Sequence, residues 1–455
     1  MAIEGLRRVL GLKEVSFIAI GMTIGAGIFV FTGIVLKIVG PALPLAFALA
    51  VIPVFLSMLP LAMLGSALPT TGGNYKYPSR MVSPGLTFTG VWVYALATFF
   101  GQIPLYCIAC ARYAHALFPE VHIELFAIAL LTFFYVVNLF GVKIAAQVQG
   151  IMVMVLIGAL IYFAGNGIAD FHPENFNDFF GKGAGSFVLG TALLTFTYLG
   201  SNGIIELGDE IKNPGRTIPR AFLIAFPTVT IIYLLVAISA VGVVPCERLA
   251  AADEPLVAAC RGMMGGAGVI FFVIGGAILA LTTTLNALFI FGTKSLLVVV
   301  GDKILPAWMG RINARFGSPH VLLTIIWIFS LAGILSGFSL ETFASYAALG
   351  GMIIFIPVLL ASMILPRRYP ERYTKSRFKL KGVWLWLCPA VGFVIILFFS
   401  VVIIADLKSW FRILFFLFFI ITGVAYYLLR KRYLRRRGVR LEDIKKREDW
   451  TTEGA

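Results

Sequence analysis

The chain has 455 residues, of which 60% are hydrophobic and 13% charged, with a mean hydropathy of +0.95. That balance excludes an ordinary water-soluble domain and a disordered chain, since too few polar groups remain to cover a wet exterior. The net charge of +15 raises nucleic acid as a partner, but the charges gather at the ends of apolar runs and argue against one.

A bilayer is crossed by about 20 apolar residues. About twelve such runs occur, at 15–39, 43–66, 86–117, 123–141, 144–165, 187–211, 219–243, 267–299, 320–337, 341–365, 384–405 and 410–430. The first is too long for a signal peptide and lacks a small-residue cleavage site, so it is expected in the mature protein. With residues 1–14 in the cytoplasm, thirty of the 37 lysines and arginines fall on the cytoplasmic side. Seven of these lie in the loop 366–383 and ten in the stretch 430–447. This positive-inside bias predicts an all-α, multi-pass protein of the plasma membrane with both termini cytoplasmic. Within the basic cytoplasmic tail 431–455, the run from Arg430 to Arg437 is expected to sit against anionic lipid as a juxtamembrane anchor.

Two of the runs carry interruptions. The first holds Gly21, Thr23, Gly25 and Gly27, and each glycine weakens a helix by about 1 kcal/mol relative to alanine. The sixth breaks at Leu199-Gly200-Ser201-Asn202-Gly203. Non-helical backbone at membrane depth survives only beside a cavity or inside protein. Broken segments five runs apart point to a transporter of two inverted five-helix repeats, 15–165 and 187–365, with runs 384–405 and 410–430 outside them. Half-helix ends there offer N–H groups to an anion and carbonyls to a cation. The competing explanation for Gly21 and Gly25 is close helix packing.

The stretch 21–29, GMTIGAGIF, resembles the first-helix break of the amino acid–polyamine–organocation superfamily. The run from Phe196-Thr197-Tyr198-Leu199-Gly200 to Glu206 and on through Lys212-Asn213-Pro214-Gly215-Arg216-Thr217-Ile218-Pro219-Arg220 is similar to its sixth helix and the junction after it. Gly301-Asp302-Lys303-Ile304-Leu305-Pro306 resembles its loop between helices eight and nine. The resemblance covers roughly 10–430. It implies a LeuT-like fold of about twelve transmembrane helices, with helices 1 and 6 broken and two extra C-terminal helices. It also implies secondary active transport of an amino acid by alternating access, as symporter or exchanger, in a monomer or homodimer. The substrate carboxylate and ammonium are then expected at Thr23, Ile24, Gly25, Ala26 and Gly27, and at Phe196, Thr197, Tyr198 and Gly200. Phe196 is the expected gate, and Asn202 is expected in the pocket wall.

Coupling is open to H⁺, Na⁺ or neither. Many sodium-independent relatives carry a lysine in helix five, and here Leu156 takes that position. Thr282, Thr283 and Thr284 offer hydroxyls for Na⁺ or else satisfy their own helix. Glu206 is a candidate gate or proton-linked carboxylate, with a structural ion pair as the alternative. Asp209 and Glu210 are expected to pair with nearby cations, and Lys294 to snorkel to the cytoplasmic edge. Side-chain selection is expected from Thr98, Gln102, Ile103, Tyr346, Ala347, Gly350 and Gly351. No carboxylate lies deep in runs three, eight or ten, which favours a neutral substrate, while Glu206 keeps cationic amino acids and polyamines open. Channel and sensor remain competing classes. No enzyme constellation, phosphate loop or cofactor motif is found. Cys107 and Cys110 are expected to pack; Cys246 and Cys260 share an outer loop and pair only if that side is oxidising.

Overall fold

The computed structural model describes residues 8–25, 27–252, 254–406, 410–448 and 450; Ala26 and the side chain of Phe196 lie outside the described part. Among the described residues every extended element is helical, and strand-like pairing is confined to two isolated bridges, Leu10 with Ile211 and Thr71 with Leu207. In chain order the helices are α1 (Leu12–Ile24), α2 (Gly27–Val39), α3 (Leu43–Ala67), α4 (Gly73–Met81), α5 (Pro84–Leu96), α6 (Ile103–Leu117), α7 (Ile123–Leu139), α8 (Val142–Ala169), α9 (Gly183–Leu194) and α10 (Pro214–Val243). They continue with α11 (Cys246–Ala251), α12 (Pro255–Met263), α13 (Gly266–Phe272), α14 (Leu279–Gly292), α15 (Lys294–Gly301), α16 (His320–Leu335), α17 (Leu340–Arg368), α18 (Pro370–Lys375), α19 (Trp384–Asp406) and α20 (Trp410–Arg436).

Prolines mark several starts, with Pro84, Pro214 and Pro255 in the first turns of α5, α10 and α12. There the ring's fixed φ suits a helix and no N–H is lost from the ladder. Asn213, just before α10, takes a left-handed φ of 48°, which asparagine tolerates better than most residues. The Asn213-Pro214 pair thus turns the chain sharply into its next crossing.

All twelve expected runs are helical or broken helical, and among the described residues eight helical stretches are long and apolar enough to cross a membrane. Four shorter apolar stretches among them, Ile123–Leu139, Gly183–Leu194, His320–Leu335 and Trp384–Phe398 within α19, fall below that length. The apolar residues left exposed are large: Ile151 and Ile161 on α8, Val394 and Leu397 on α19, Leu414 and Ile421 on α20. On a soluble protein such a belt would be an aggregation hazard; here it is the lipid-facing surface.

The region around α4 and the chain beyond α20 differs most from the sequence expectation. Residues 73–81, which lie outside the twelve expected runs, form the fully buried helix α4. Its Arg80 donates two bonds to Asp302, Nη1 to Oδ2 at 2.6 Å and Nη2 to Oδ1 at 2.9 Å, and the Tyr75 hydroxyl adds a third at 2.9 Å. The chain beyond α20 folds back beneath α4. Arg447 donates to Asp302 at 2.6 Å, Leu441 and Ile444 are buried, and the Trp450 ring stacks on Tyr77 with centroids 5.9 Å apart. The Lys76 ammonium lies 5.5 Å from the centroid of the Trp450 ring. The Asp302 carboxylate and three apolar side chains of the segment thus hold it against protein, while Arg435, Arg436 and Arg437 stay exposed.

Candidate functional site

The first apolar run breaks where the sequence expects it. α1 ends at Ile24; Gly25 takes φ 32° and ψ −150°, which side-chain-bearing residues rarely adopt, and α2 restarts at Gly27. A Cβ on Gly25 would stand 2.4 Å from Thr284 Oγ1 on α14. The sixth run also breaks. α9 stops at Leu194, a 3₁₀ turn covers Thr195–Tyr198, Leu199 and Gly200 have no regular structure, and a second 3₁₀ turn covers Ser201–Glu206. Gly200 has φ 146°, and a Cβ there would lie 2.6 Å from the Met22 carbonyl oxygen. The two breaks are therefore in backbone contact, and Gly27 similarly abuts Thr197.

Backbone groups freed by unwinding find identifiable partners. Thr70 O accepts from Gly208 N at 3.0 Å, Glu206 O from Gly72 N at 3.1 Å, and Leu10 O from Lys212 N at 2.7 Å. At the breaks themselves the partner is a side chain the sequence did not single out. The Tyr233 hydroxyl of α10 lies 2.9 Å from Thr23 O, 3.1 Å from Ile24 O and 3.0 Å from Thr197 O. One O–H thus sits among three carbonyls drawn from both breaks. Having a single proton, it serves them in turn and leaves acceptor capacity facing the break.

A cavity opens beside this crossing. Its wall includes Thr23, Gly25, Gly27, Thr197, Gly200 and Asn202 from the breaks and Thr284 from α14. Thr23 donates its hydroxyl to Ala19 O, within its own helix. Ile24 is fully buried and contributes its carbonyl to Tyr233 instead of lining the cavity. Tyr198 also turns away, donating to Phe47 O at 3.0 Å and packing on Tyr233. The calls on Ala26 and on the Phe196 side chain lie outside the described residues. Of the selectivity candidates, Gln102, Ala347 and Gly351 line the cavity. Gln102 follows a one-turn widening of the helix at Ala97–Gln102 and donates to the Tyr106 hydroxyl at 3.2 Å. Tyr346 packs among Phe415, Phe416 and Phe419, and Gly350 abuts Ala97. Thr98, Ile103 and Gly350 are not in the wall.

The ionisable candidates stand apart from it. Glu206 accepts from Asn74 N and from the Ser295 hydroxyl, both at 2.8 Å, and Asp209 accepts from Thr71 N at 3.0 Å. Glu210 pairs with Lys294 at 2.7 Å, both side chains almost fully buried. Lys294 therefore does not snorkel, because α15 turns it inward onto a carboxylate. No charged side chain belongs to the cavity wall among the described residues.

Thr282 donates to Leu279 O, Thr284 to Ala280 O, and Thr283 to both Ala280 O and, at 3.1 Å, Gly21 O of α1. Leu156 is fully buried in α8. A buried amide ladder runs nearby: Asn138 Nδ2 donates to Asn286 Oδ1, and Asn286 Nδ2 to Gln149 Oε1 at 2.9 Å. Gln149 Nε2 lies against Gly21, 2.3 Å from where a Cβ would be. Between α10 and α13, Cys246 and Cys260 are free thiols, and burial pushes the pKa of both up to about 11.

The amino acid permease family matches residues 10–431, and the chain belongs to it: a multi-pass membrane permease of the amino acid–polyamine–organocation superfamily. Among its relatives is the branched-chain amino acid permease BcaP of Bacillus subtilis, 25% identical over 454 residues that cover 94% of each chain. The methylthioribose transporter of the same species is 26% identical, covering 84% of this chain and 85% of its own. The vacuolar cationic amino acid transporter 4 of Arabidopsis thaliana is 26% identical over 79% of this chain and 63% of its own.

Proposed function

We propose that this permease carries a neutral amino acid across the plasma membrane by alternating access, with both termini cytoplasmic. One observation carries the proposal: two broken helical segments meet at a cavity whose wall holds backbone from both breaks and, among the described residues, no charged side chain. A zwitterion brings one charge of each sign. The N-terminal end of α2 suits its carboxylate, and the carbonyls of Thr23 and Thr197, which share the single Tyr233 proton, suit its ammonium. A cationic side chain would add a buried charge with no partner, which costs several kcal/mol. That disfavours polyamines and cationic amino acids despite one relative's name. The branched-chain relative agrees with a neutral cargo.

In the proposed cycle α1 and the segment around 195–206 move against α8 and α14, and Phe196 closes over the cargo. The pairing of runs 15–165 with 187–365 as inverted repeats supplies the two related halves. Leu156 in place of a lysine argues against a lysine-based proton route, and the three threonine hydroxyls engaged on helix carbonyls need no ion to satisfy them, which together favour an exchanger. Purified chain in proteoliposomes, offered radiolabelled neutral, cationic and acidic amino acids and putrescine, tests the proposal. Saturable uptake of neutral amino acids is expected. Binding without uptake would make the protein a sensor, and unsaturable conductive flux a channel.

A further inference from the structure

Away from the breaks, the cavity changes character. Its far wall is built by Met58 of α3, Met352, Phe355 and Leu359 of α17, and Ile395 and Ile396 of α19. The one hydroxyl there, on Ser57, donates to Val54 O at 2.7 Å, so it makes no demand on a ligand. α19 reaches this wall because Gly392 lets its backbone close on the two other helices. A Cβ at 392 would stand 2.7 Å from Leu359 Cδ1 and 3.3 Å from Ser57 Cβ.

Gly351 is different. It lies inside α17, lines the cavity, and has no atom within 4 Å of where its Cβ would be. Its φ is not left-handed, so neither the backbone nor a tight neighbour calls for glycine. Glycine in a helix interior is destabilising relative to alanine. What the missing side chain leaves here is open volume in the wall of the same cavity that the breaks and the apolar residues line.

We infer that this apolar arm receives the side chain of the cargo, that its size selects a bulky hydrocarbon group, branched or aromatic, and that Gly351, Ile395 and Ile396 set the limit. This rests on the neutral amino acid reading of the same cavity and adds the cargo's side-chain class and the role of α19, which lies outside both proposed repeats. A zwitterion held at the breaks then projects only carbon into the arm. Each methylene gained or lost in such a pocket changes discrimination on the order of ten-fold.

The test measures uptake of leucine, phenylalanine and alanine into proteoliposomes by the wild-type chain and by Gly351→Leu, with thermal unfolding as the folding control. Leucine is a better helix former than glycine and its Cβ meets no atom at this position, so the unfolding temperature should hold or rise. The wild type should prefer leucine or phenylalanine to alanine. In Gly351→Leu the leucine-to-alanine uptake ratio should fall at least ten-fold. The double variant Ile395→Ala, Ile396→Ala should move the phenylalanine-to-leucine ratio upward by a similar factor. A wild type that carries only small amino acids, or a Gly351→Leu ratio within two-fold of wild type, overturns the arm and leaves the transport reading standing. A wild type that neither binds nor carries any of the three overturns both.

Discussion

Tyr233→Phe removes one hydroxyl and keeps the ring, which packs against Tyr198 and Phe47 with centroids 5.1 and 5.2 Å apart. The hydroxyl sits 2.9–3.1 Å from three carbonyls of the two breaks, Thr23, Ile24 and Thr197. Removing it leaves buried acceptors without a donor, at a cost of about 1–3 kcal/mol. It also removes the one side chain that ties α10 to both breaks at once. If the tie exists in the cargo-binding state and loosens in the cycle, that energy appears in uptake as a loss of about 5–150-fold. Tyr198→Phe is the control: it deletes a hydroxyl that donates to Phe47 O, outside both breaks, so only about 0.5–1.5 kcal/mol is at stake for that bond. Initial uptake rates in proteoliposomes, normalised to incorporated protein, measure both. Tyr233→Phe uptake within two-fold of wild type, or a loss no larger than that of Tyr198→Phe, would refute the bridging role.

Gly200→Ala pushes a methyl to within 2.6 Å of Met22 O at a φ of 146°, so uptake should fall at least ten-fold while insertion into the membrane is retained; normal uptake would remove the crossing of the breaks from the site. Lys294→Met strands the buried Glu210 carboxylate, a loss of about 3–5 kcal/mol seen as poor recovery of monodisperse protein. Adding Glu210→Gln should restore most of it, and a single variant as stable as wild type would show that the pair holds nothing. Replacing Na⁺ by choline should leave uptake unchanged, as an exchanger requires; a clear drop would put the hydroxyl oxygens of Thr282, Thr283 and Thr284, whose lone pairs remain free while they donate to helix carbonyls, on an ion path. Trp450→Ala should release the tail from Tyr77 and Lys76, so trypsin cleaves at Arg440 and Lys445 several-fold faster. Unchanged cleavage would mean that the tail is held without the indole.

Helical runs and their two interruptions could be read directly because both are local properties of the chain. Apolar length sets how much chain a bilayer accepts, and glycine's missing side chain permits φ 32° at Gly25 and φ 146° at Gly200 whatever surrounds them. The sequence by itself therefore determined a membrane-embedded helical permease and the two places where its backbone leaves the helix. Tertiary structure alone decided what those places meet. A tyrosine within the apolar run of α10 carries no local sign that it will reach three carbonyls from two other segments. The Glu210–Lys294 pair, the inward turn of α4 and the docking of Trp450 likewise join residues distant in the chain. Such pairings depend on how helices pack, and packing follows from the shapes of whole surfaces rather than from the order of residues along any one of them.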